Sequence, residues 1–409
     1  MKYFISLLVV LMSLVSCEKR NTNNSENGFI SIKSPTSIGS MQPFLFSKDK
    51  NLFMSWTQKM NDSIYTLNYS ELKIGKWTET IEITRGDNWF VNWADFPAIS
   101  ENNGNILTYI LQKSEASTYA YDIHMYLAGT NENSVNKNFI LHSDSTKTEH
   151  GFVSMLPYKD DSFFVTWLDG RNTGGGSHDV GHSSNGAMSV RAASVLQTGE
   201  VVDDTLVDNK TCDCCQTSAA ITPKGPIIVY RDRTDDEVRD IYISRLLDGS
   251  WTIPKPIHND NWIINGCPVN GPKAATYNNS LVVAWFTAAK NTPKVNIIFS
   301  DDSGKSFDTP IQIDNGKPIG RVDVALLDEN NALVSWMESS ENGAEIKVVK
   351  VNSNGAKQKP LIAASLSAAR SSGFPQMEVF NDTVYFAWND ISENQPVIKM
   401  TRIDINSFN

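Results

Sequence analysis

The densest chemistry in the chain lies in Cys212-Asp213-Cys214-Cys215-Gln216-Thr217, with a further thiol in Gly266-Cys267-Pro268-Val269-Asn270-Gly271-Pro272. Four cysteines allow three disulfide pairings, and an oxidising compartment favours pairing. Neighbouring Cys214 and Cys215 cannot easily bond each other, so a disulfide reading sends at least one of them to Cys267. The same residues, Cys212, Cys214, Cys215 and Cys267, form a soft donor set for copper or zinc, with His150, His178 or His182 as nearby nitrogen donors. Read as C-x-C-C, the spacing matches neither a standard zinc pattern nor a redox motif, so a redox-active pair ranks last.

Charged residues gather in a second set of short segments: Glu149-His150, Trp167-Leu168-Asp169-Gly170-Arg171, Arg231-Asp232-Arg233 with Arg239, and Arg321-Val322-Asp323. Asp169 with Glu149 or Asp232 could supply the carboxylate pair that glycoside cleavage needs. Arg171, Arg231, Arg233 and Arg321, with His150, Asn270 and Asp323, could hold an anionic ligand, since guanidinium groups bind carboxylates in a fixed fork. The alternative for each is a salt bridge that staples neighbouring segments. Thr173-Gly174-Gly175-Gly176-Ser177-His178-Asp179-Val180-Gly181-His182 reads as a glycine-rich loop, with a lid or metal-ligand role as the alternative. It is no phosphate loop, because neither a strand-to-helix context nor a following lysine is present.

These segments are positioned by a repeat. Apolar runs ending in an aromatic residue recur seven times, at Trp56, Tyr109, Trp167, Tyr230, Trp285, Trp336 and Trp388, with intervals of 53, 58, 63, 55, 51 and 52 residues. That period is the length of one propeller blade. Each unit has a strand before the aromatic one, as at Gln42-Pro43-Phe44, Phe96-Pro97-Ala98 and Phe374-Pro375-Gln376, and another after it, as at Val295-Asn296-Ile297-Ile298-Phe299-Ser300. No long stretch has helical period. The expected fold is all-β: a single seven-bladed β-propeller over residues 28–409, with six blades as the alternative. The last unit runs out of chain after three strands, and Gly28-Phe29-Ile30-Ser31-Ile32 is a spare strand that could complete it. In such a ring, the residues before the inner strands and those after the second strands meet at one mouth, which brings the cysteines and charged residues together.

The 409 residues include 36 Lys plus Arg and 46 Asp plus Glu, a formal net charge of -10. A nucleic-acid partner would need a basic face, so none is expected. Residues 1–16 read as a secretory signal with an apolar stretch too short to span a bilayer. Leu14-Val15-Ser16-Cys17 resembles the lipobox of bacterial lipoproteins, which implies acylation of Cys17, a lipidated polar tether over residues 17–27, and membrane attachment in the bacterial cell envelope, with the outer membrane as the expected site.

Ser300-Asp301-Asp302-Ser303-Gly304-Lys305-Ser306-Phe307 resembles the Asp-box of sialidase-like (BNR-repeat) propellers, S-x-D-x-G-x-[ST]-[WF], and Ser244-Arg245-Leu246-Leu247-Asp248-Gly249-Ser250-Trp251 a degenerate copy. The resemblance implies a structural turn between third and fourth strands. Thr148-Glu149-His150-Gly151-Phe152-Val153-Ser154 and the cysteine segments are also similar to bacterial lipoproteins named sialidase-like, which brings no established activity. A sialidase would require an arginine triad beginning in an F/Y-R-I-P motif, yet no arginine lies between Arg20 and Arg85. Standard sialidase activity is therefore not expected. The favoured function is a membrane-anchored propeller binding a ligand, metal ion or envelope protein partner at its Cys/Arg-rich face; the alternative is a glycoside hydrolase with a non-standard site acting on a glycan.

Overall fold

The computed structural model describes residues 28–129, 136–174, 186–392 and 395–408. Cys17, the signal and tether segments, and His178 and His182 lie outside the described residues. The molecule is 57% strand and 3% helix. Among the described residues, the strands form seven antiparallel sheets. The first strands of the seven are Ser40–Lys48, Ile99–Asn102, His150–Tyr158, Ser218–Thr222, Lys273–Tyr277, Pro318–Leu326 and Gln376–Phe380. Each touches the next, and the last touches the first, so the protein is a closed seven-bladed propeller.

The repeated aromatic residues all sit on second strands, and all seven are buried; Trp388, the most exposed of them, shows 7% of its surface. They lie in wedges between blades. Trp167 and Phe163 of the third blade pack with Leu107 and Tyr109 of the second, and Trp336 of the sixth with Val282 and Phe299 of the fifth. Because each blade is covered on both faces, Ser162–Asp169 and Ser280–Thr287 are buried at every residue. Their sequences accordingly run apolar instead of alternating. The indole N–H groups keep partners inside: Trp167 donates to Asp169, Trp285 to Asp260 and Trp336 to Glu338.

Ring closure is shared between the two ends of the chain. Ile30–Ile32 pairs antiparallel with Val397–Asp404, Ile30 opposite Arg402 and Ile32 opposite Met400. Phe29 is buried and meets the ring of Phe386 edge-on at 5.9 Å.

Residues 300–307 form a compact turn between Lys294–Ser300 and Ile311–Gln312, the third and fourth strands of the fifth blade. The Gly304 amide donates to Ser300 Oγ (2.9 Å), and Asp302 accepts from the Ser306 amide (2.9 Å) and hydroxyl (2.7 Å). Burial pushes the Asp302 carboxyl up, but the Ser306 and Ser300 bonds outweigh it and hold it at about 2. Residues 244–251 differ: Leu247 pairs with Ser250, leaving Asp248 and Gly249 as a two-residue hairpin turn with both φ positive.

Phe29→Ala should cost about 3–5 kcal/mol, the usual range for removing a buried aromatic ring. Ile30→Ala, at a side chain 43% exposed, should change stability by less than about 0.5 kcal/mol. Urea denaturation of the two variants checks the pair; equal effects would mean that the N-terminal strand does not seal the last blade.

Candidate functional site at the channel mouth

The mouth is shaped by backbone bulges in three inner strands. Register shifts fall between Met41 and Phe44, Gly151 and Ser154, and Gly320 and Asp323. Each bulge holds a left-handed residue that is not glycine: Gln42 (φ 58°), Phe152 (φ 52°) and Arg321 (φ 54°). Such conformations cost free energy and persist only where neighbours enforce them. The enforcing neighbours are side chains, since the three amides donate to Asn389 Oδ1 (2.9 Å), Asp95 Oδ1 (2.8 Å) and Asn270 Oδ1 (2.8 Å). Gly151 is required beside Asp95, because a Cβ there would lie 1.9 Å from Asp95 Oδ2.

Residues 92–96 lie among these loops and tie several blades together. The Asn92 carbonyl accepts from Gln42 Nε2, and the Ala94 carbonyl from Gln216 Nε2, whose own Oε1 accepts from the Gly271 amide. Trp93 stacks on Phe374 at 5.8 Å, and the Arg321 guanidinium sits 5.0 Å over Trp93. Arg321 is buried, and its bonds run to the carbonyls of Gly373 (2.6 Å) and Ala369 (3.3 Å). Burial, with Arg370 nearby, lowers its pKa to about 10. Sequence reading placed Arg321 and Asp323 ahead of an inner strand; both lie within Pro318–Leu326, because the bulge extends it.

The cysteines converge. Cys212 and Cys215 are buried and Cys214 half-buried, and their three Sγ atoms lie within 4.8 Å of one another. Cys267, which is exposed, lies near enough to Cys214 to help raise its pKa. All four are free thiols here, with no disulfide between the fourth and fifth blades. The shortest approach, 3.4 Å, is between Cys212 and Cys215, whose C-x-x-C spacing is hidden when the segment is read as C-x-C-C. His150 is not part of this group.

Guanidinium groups wall the thiols. Arg239 Nη1 lies 3.3 Å from Cys212 Sγ and its Nη2 2.8 Å from Glu237 Oε2. Arg233 also binds Glu237 (2.8 Å) and reaches Asp213 (3.3 Å). Arg231, 1% exposed, donates to the carbonyls of Arg239, Asn270 and Phe286 and lies 4.8 Å over the Trp262 ring. Burial raises every one of the three thiols. For Cys212 alone, bonds from Cys214 and Cys215 and the charges of Arg239 and Arg231 overcome it and draw the pKa well below the usual thiol range; Cys214 and Cys215 stay raised.

The carboxylates named from sequence each have their own set of partners. Glu149 accepts from the Tyr121 hydroxyl (2.6 Å), which also meets Asp95 (3.3 Å). Asp169 is bound bidentately by Arg171 at 2.7 and 2.8 Å, and although burial raises its pKa, Arg171, His150 and Trp167 bring it below the usual value. Asp232 lies instead in a cleft of about 690 Å³ with Asp208, Lys210 and Tyr242. Burial and the Asp208 charge raise Asp232 to about 7, against the Arg233 amide and Lys210. Asn270 and Asp323 brace backbone: Asn270 Oδ1 holds the Arg321 amide, and Asp323 accepts from Val324 and Met377.

Sequence reasoning missed Asp122, His142, Asp144 and Asp208. His142 and His150 stack with ring centres 3.7 Å apart and planes 3° from parallel, with Asp144 and Asp122 beside them. The one available signal was His142-Ser143-Asp144 in the same connection as Glu149-His150.

No protein-family profile matches the chain, and no curated protein does. Solved structures do. The polysaccharide lyase Uly1 is similar at 10% identity, with a TM-score of 0.53, over 90% of this chain and 91% of that one. An alpha-L-arabinofuranosidase from Fusarium graminearum, solved with an iminosugar inhibitor, is similar at 12% identity, TM-score 0.50, over 90% and 94%. A Hadza microbial sialidase gives 9% identity, TM-score 0.42, over 73% and 63%. At such identities the likeness is one of fold, and the fold is a seven-bladed β-propeller.

Proposed function

We propose that this protein is a lipid-anchored propeller of the bacterial cell envelope, attached through Cys17, whose channel mouth binds a soft metal ion, copper(I) or zinc, at Cys212, Cys214 and Cys215, with Cys267 as a fourth donor. The observation that carries this reading is the convergence of three Sγ atoms within 4.8 Å. Three thiolates around one copper(I) carry a net charge of minus two, and the Arg231 and Arg239 guanidinium groups offset it in a site sheltered from water. A tether on Cys17 would keep this mouth near a glycan or envelope protein partner. Arg321, whose contacts are carbonyls, the Met337 sulfur and aromatic rings, has no carboxylate bonded to it among the described residues and would be the group to meet an anion on such a partner.

The mature domain, isolated without its lipid from an oxidising compartment, should contain near-stoichiometric copper or zinc by elemental mass spectrometry. Replacing Cys214 and Cys215 with Ser should reduce uptake at least tenfold. A metal-free domain whose intact mass shows two disulfides would reject the metal reading.

A second reading, glycoside hydrolysis, is favoured by Asp232 alone. With a pKa of about 7 beside Asp208, it would enter neutral solution partly protonated, as a general acid must. Activity on a glycan should then fall as pH rises through about 7 and be abolished in Asp232→Asn, with glycan binding retained. Stability gives a second readout. The folded value is raised above the ordinary 3.8, so the stabilising effect is complete below about 4 and is lost as pH rises through about 7. Asp232→Asn should flatten the melting temperature between pH 5 and pH 8 and raise it at the upper end; an unchanged profile would mean that Asp232 titrates normally.

A further inference from the structure

Between the second and third blades lies a nitrogen and oxygen cluster separate from the thiols. It is built from the connection ahead of His150–Tyr158, the end of Ser162–Asp169 and the start of Tyr121–Gly129. His142 and His150 are both buried, with side chains 2% and 0% exposed. His142 Nδ1 lies 3.0 Å from Asp144 Oδ2, and a carboxylate has no hydrogen to give, so Nδ1 carries the proton. The Nε2 of the neutral ring is then a bare lone pair, and it faces Asp122 Oδ1 at 3.6 Å.

His150 repeats the pattern. Its Nδ1 faces the carbonyls of Thr148 (3.2 Å) and Tyr121 (3.4 Å), which fixes the proton there. Its bare Nε2 faces Asp144 Oδ2 at 3.2 Å and Asp169 Oδ1 at 3.8 Å. Neither Nε2 has a hydrogen-bond partner. Acceptors thus face acceptors on both sides of the stack, which is unfavourable unless something positive lies between them. Protonating both rings would fill both gaps, but it would put two cations face to face at 3.7 Å. Arg171 offsets only one of the three carboxylate charges, through Asp169 and Asp144.

We propose that His142, through its Nε2, and Asp122 hold one divalent cation of borderline hardness, such as zinc, manganese or iron(II), with Asp144 behind the His142 ring. Imidazole and carboxylate donors suit all these ions, whereas the thiols suit copper(I) and, of these, zinc alone. Metal–nitrogen and metal–oxygen bonds of about 2.0–2.2 Å in tetrahedral geometry separate ligand atoms by about 3.4 Å. The 3.6 Å gap between His142 Nε2 and Asp122 Oδ1 is of that size. Asp144, held in place by the Thr146 amide and hydroxyl through its Oδ1, would fix the His142 ring and raise its basicity, the usual task of a carboxylate behind a metal-bound histidine.

The test separates this site from the thiols. A chain with Cys212, Cys214, Cys215 and Cys267 replaced by Ser is titrated with Co²⁺ and followed by its absorption spectrum. One equivalent should bind with no sulfur-to-cobalt charge transfer, Zn²⁺ should displace it, and the melting temperature should rise with metal. His142→Ala and Asp122→Asn should each weaken binding at least tenfold. A folded Cys-free chain that binds no cobalt, or binds it unchanged after His142→Ala, overturns the proposal. Should the Cys-free chain not fold, X-ray absorption on the natural chain loaded with Mn²⁺ decides: imidazole and oxygen scattering supports the site, and its absence rejects it. Failure of the thiol site would leave each of these signals intact.

Discussion

Everything at the channel mouth depends on the ring being shut. A propeller blade buries its faces only against neighbours, so a single open seam would expose the wedges on either side of it. Here the seam is closed by backbone pairing between Ile30–Ile32 and the last long strand, with Phe29 driven into the wedge beside Phe386. The interlock joins segments 371 residues apart in the chain, as between Ile30 and Thr401. Loops from different blades can be aimed at one another only because this closure fixes the rotation of every blade about the axis.

Once the ring is fixed, the mouth is rigid by hydrogen bonding more than by packing. Side chains from one blade hold the backbone of another: Asn389 holds Gln42, Asp95 holds Phe152, Asn270 holds Arg321, and Gln216 spans Ala94 and Gly271. Buried guanidinium groups serve the same end, with Arg231 joining the fourth blade to the fifth through carbonyl oxygens. Burying so many polar groups is tolerable only when each is matched, since an unmatched one costs about 1–3 kcal/mol. The ring Nε2 atoms of His142 and His150, like Gln42 Oε1 at the mouth, are among the buried atoms left without a hydrogen-bond partner.

The fold was legible because a blade imposes one repeated demand, a large ring on a strand covered on both faces. Trp56, Tyr109, Trp167, Tyr230, Trp285, Trp336 and Trp388 meet that demand at near-constant spacing, and spacing is what a sequence displays. The cysteine cluster was legible for the same reason, being contained in one short segment. The carboxylate partners were not. Asp208 comes from the outer strand Val201–Thr211 and meets Asp232 from the next blade, and Asp122 meets His142 across the second blade's own sheet. Such pairings follow from register and blade rotation, and no local motif encodes them. Asn270 and Asp323, recognised from sequence as unusual, use their polar atoms to hold backbone.

The three left-handed bulges leave a mark that selection can read. A backbone at φ near +55° is where glycine costs least and a bulky side chain costs most, so mutation at Gln42, Phe152 and Arg321 is biased toward residues that relax the chain. A lineage that had lost its use for the mouth would gain stability by drifting to glycine or asparagine there while the propeller itself stayed intact. Gln42, Phe152 and Arg321 are thus positions where contacts at the mouth are made against the preference of the backbone.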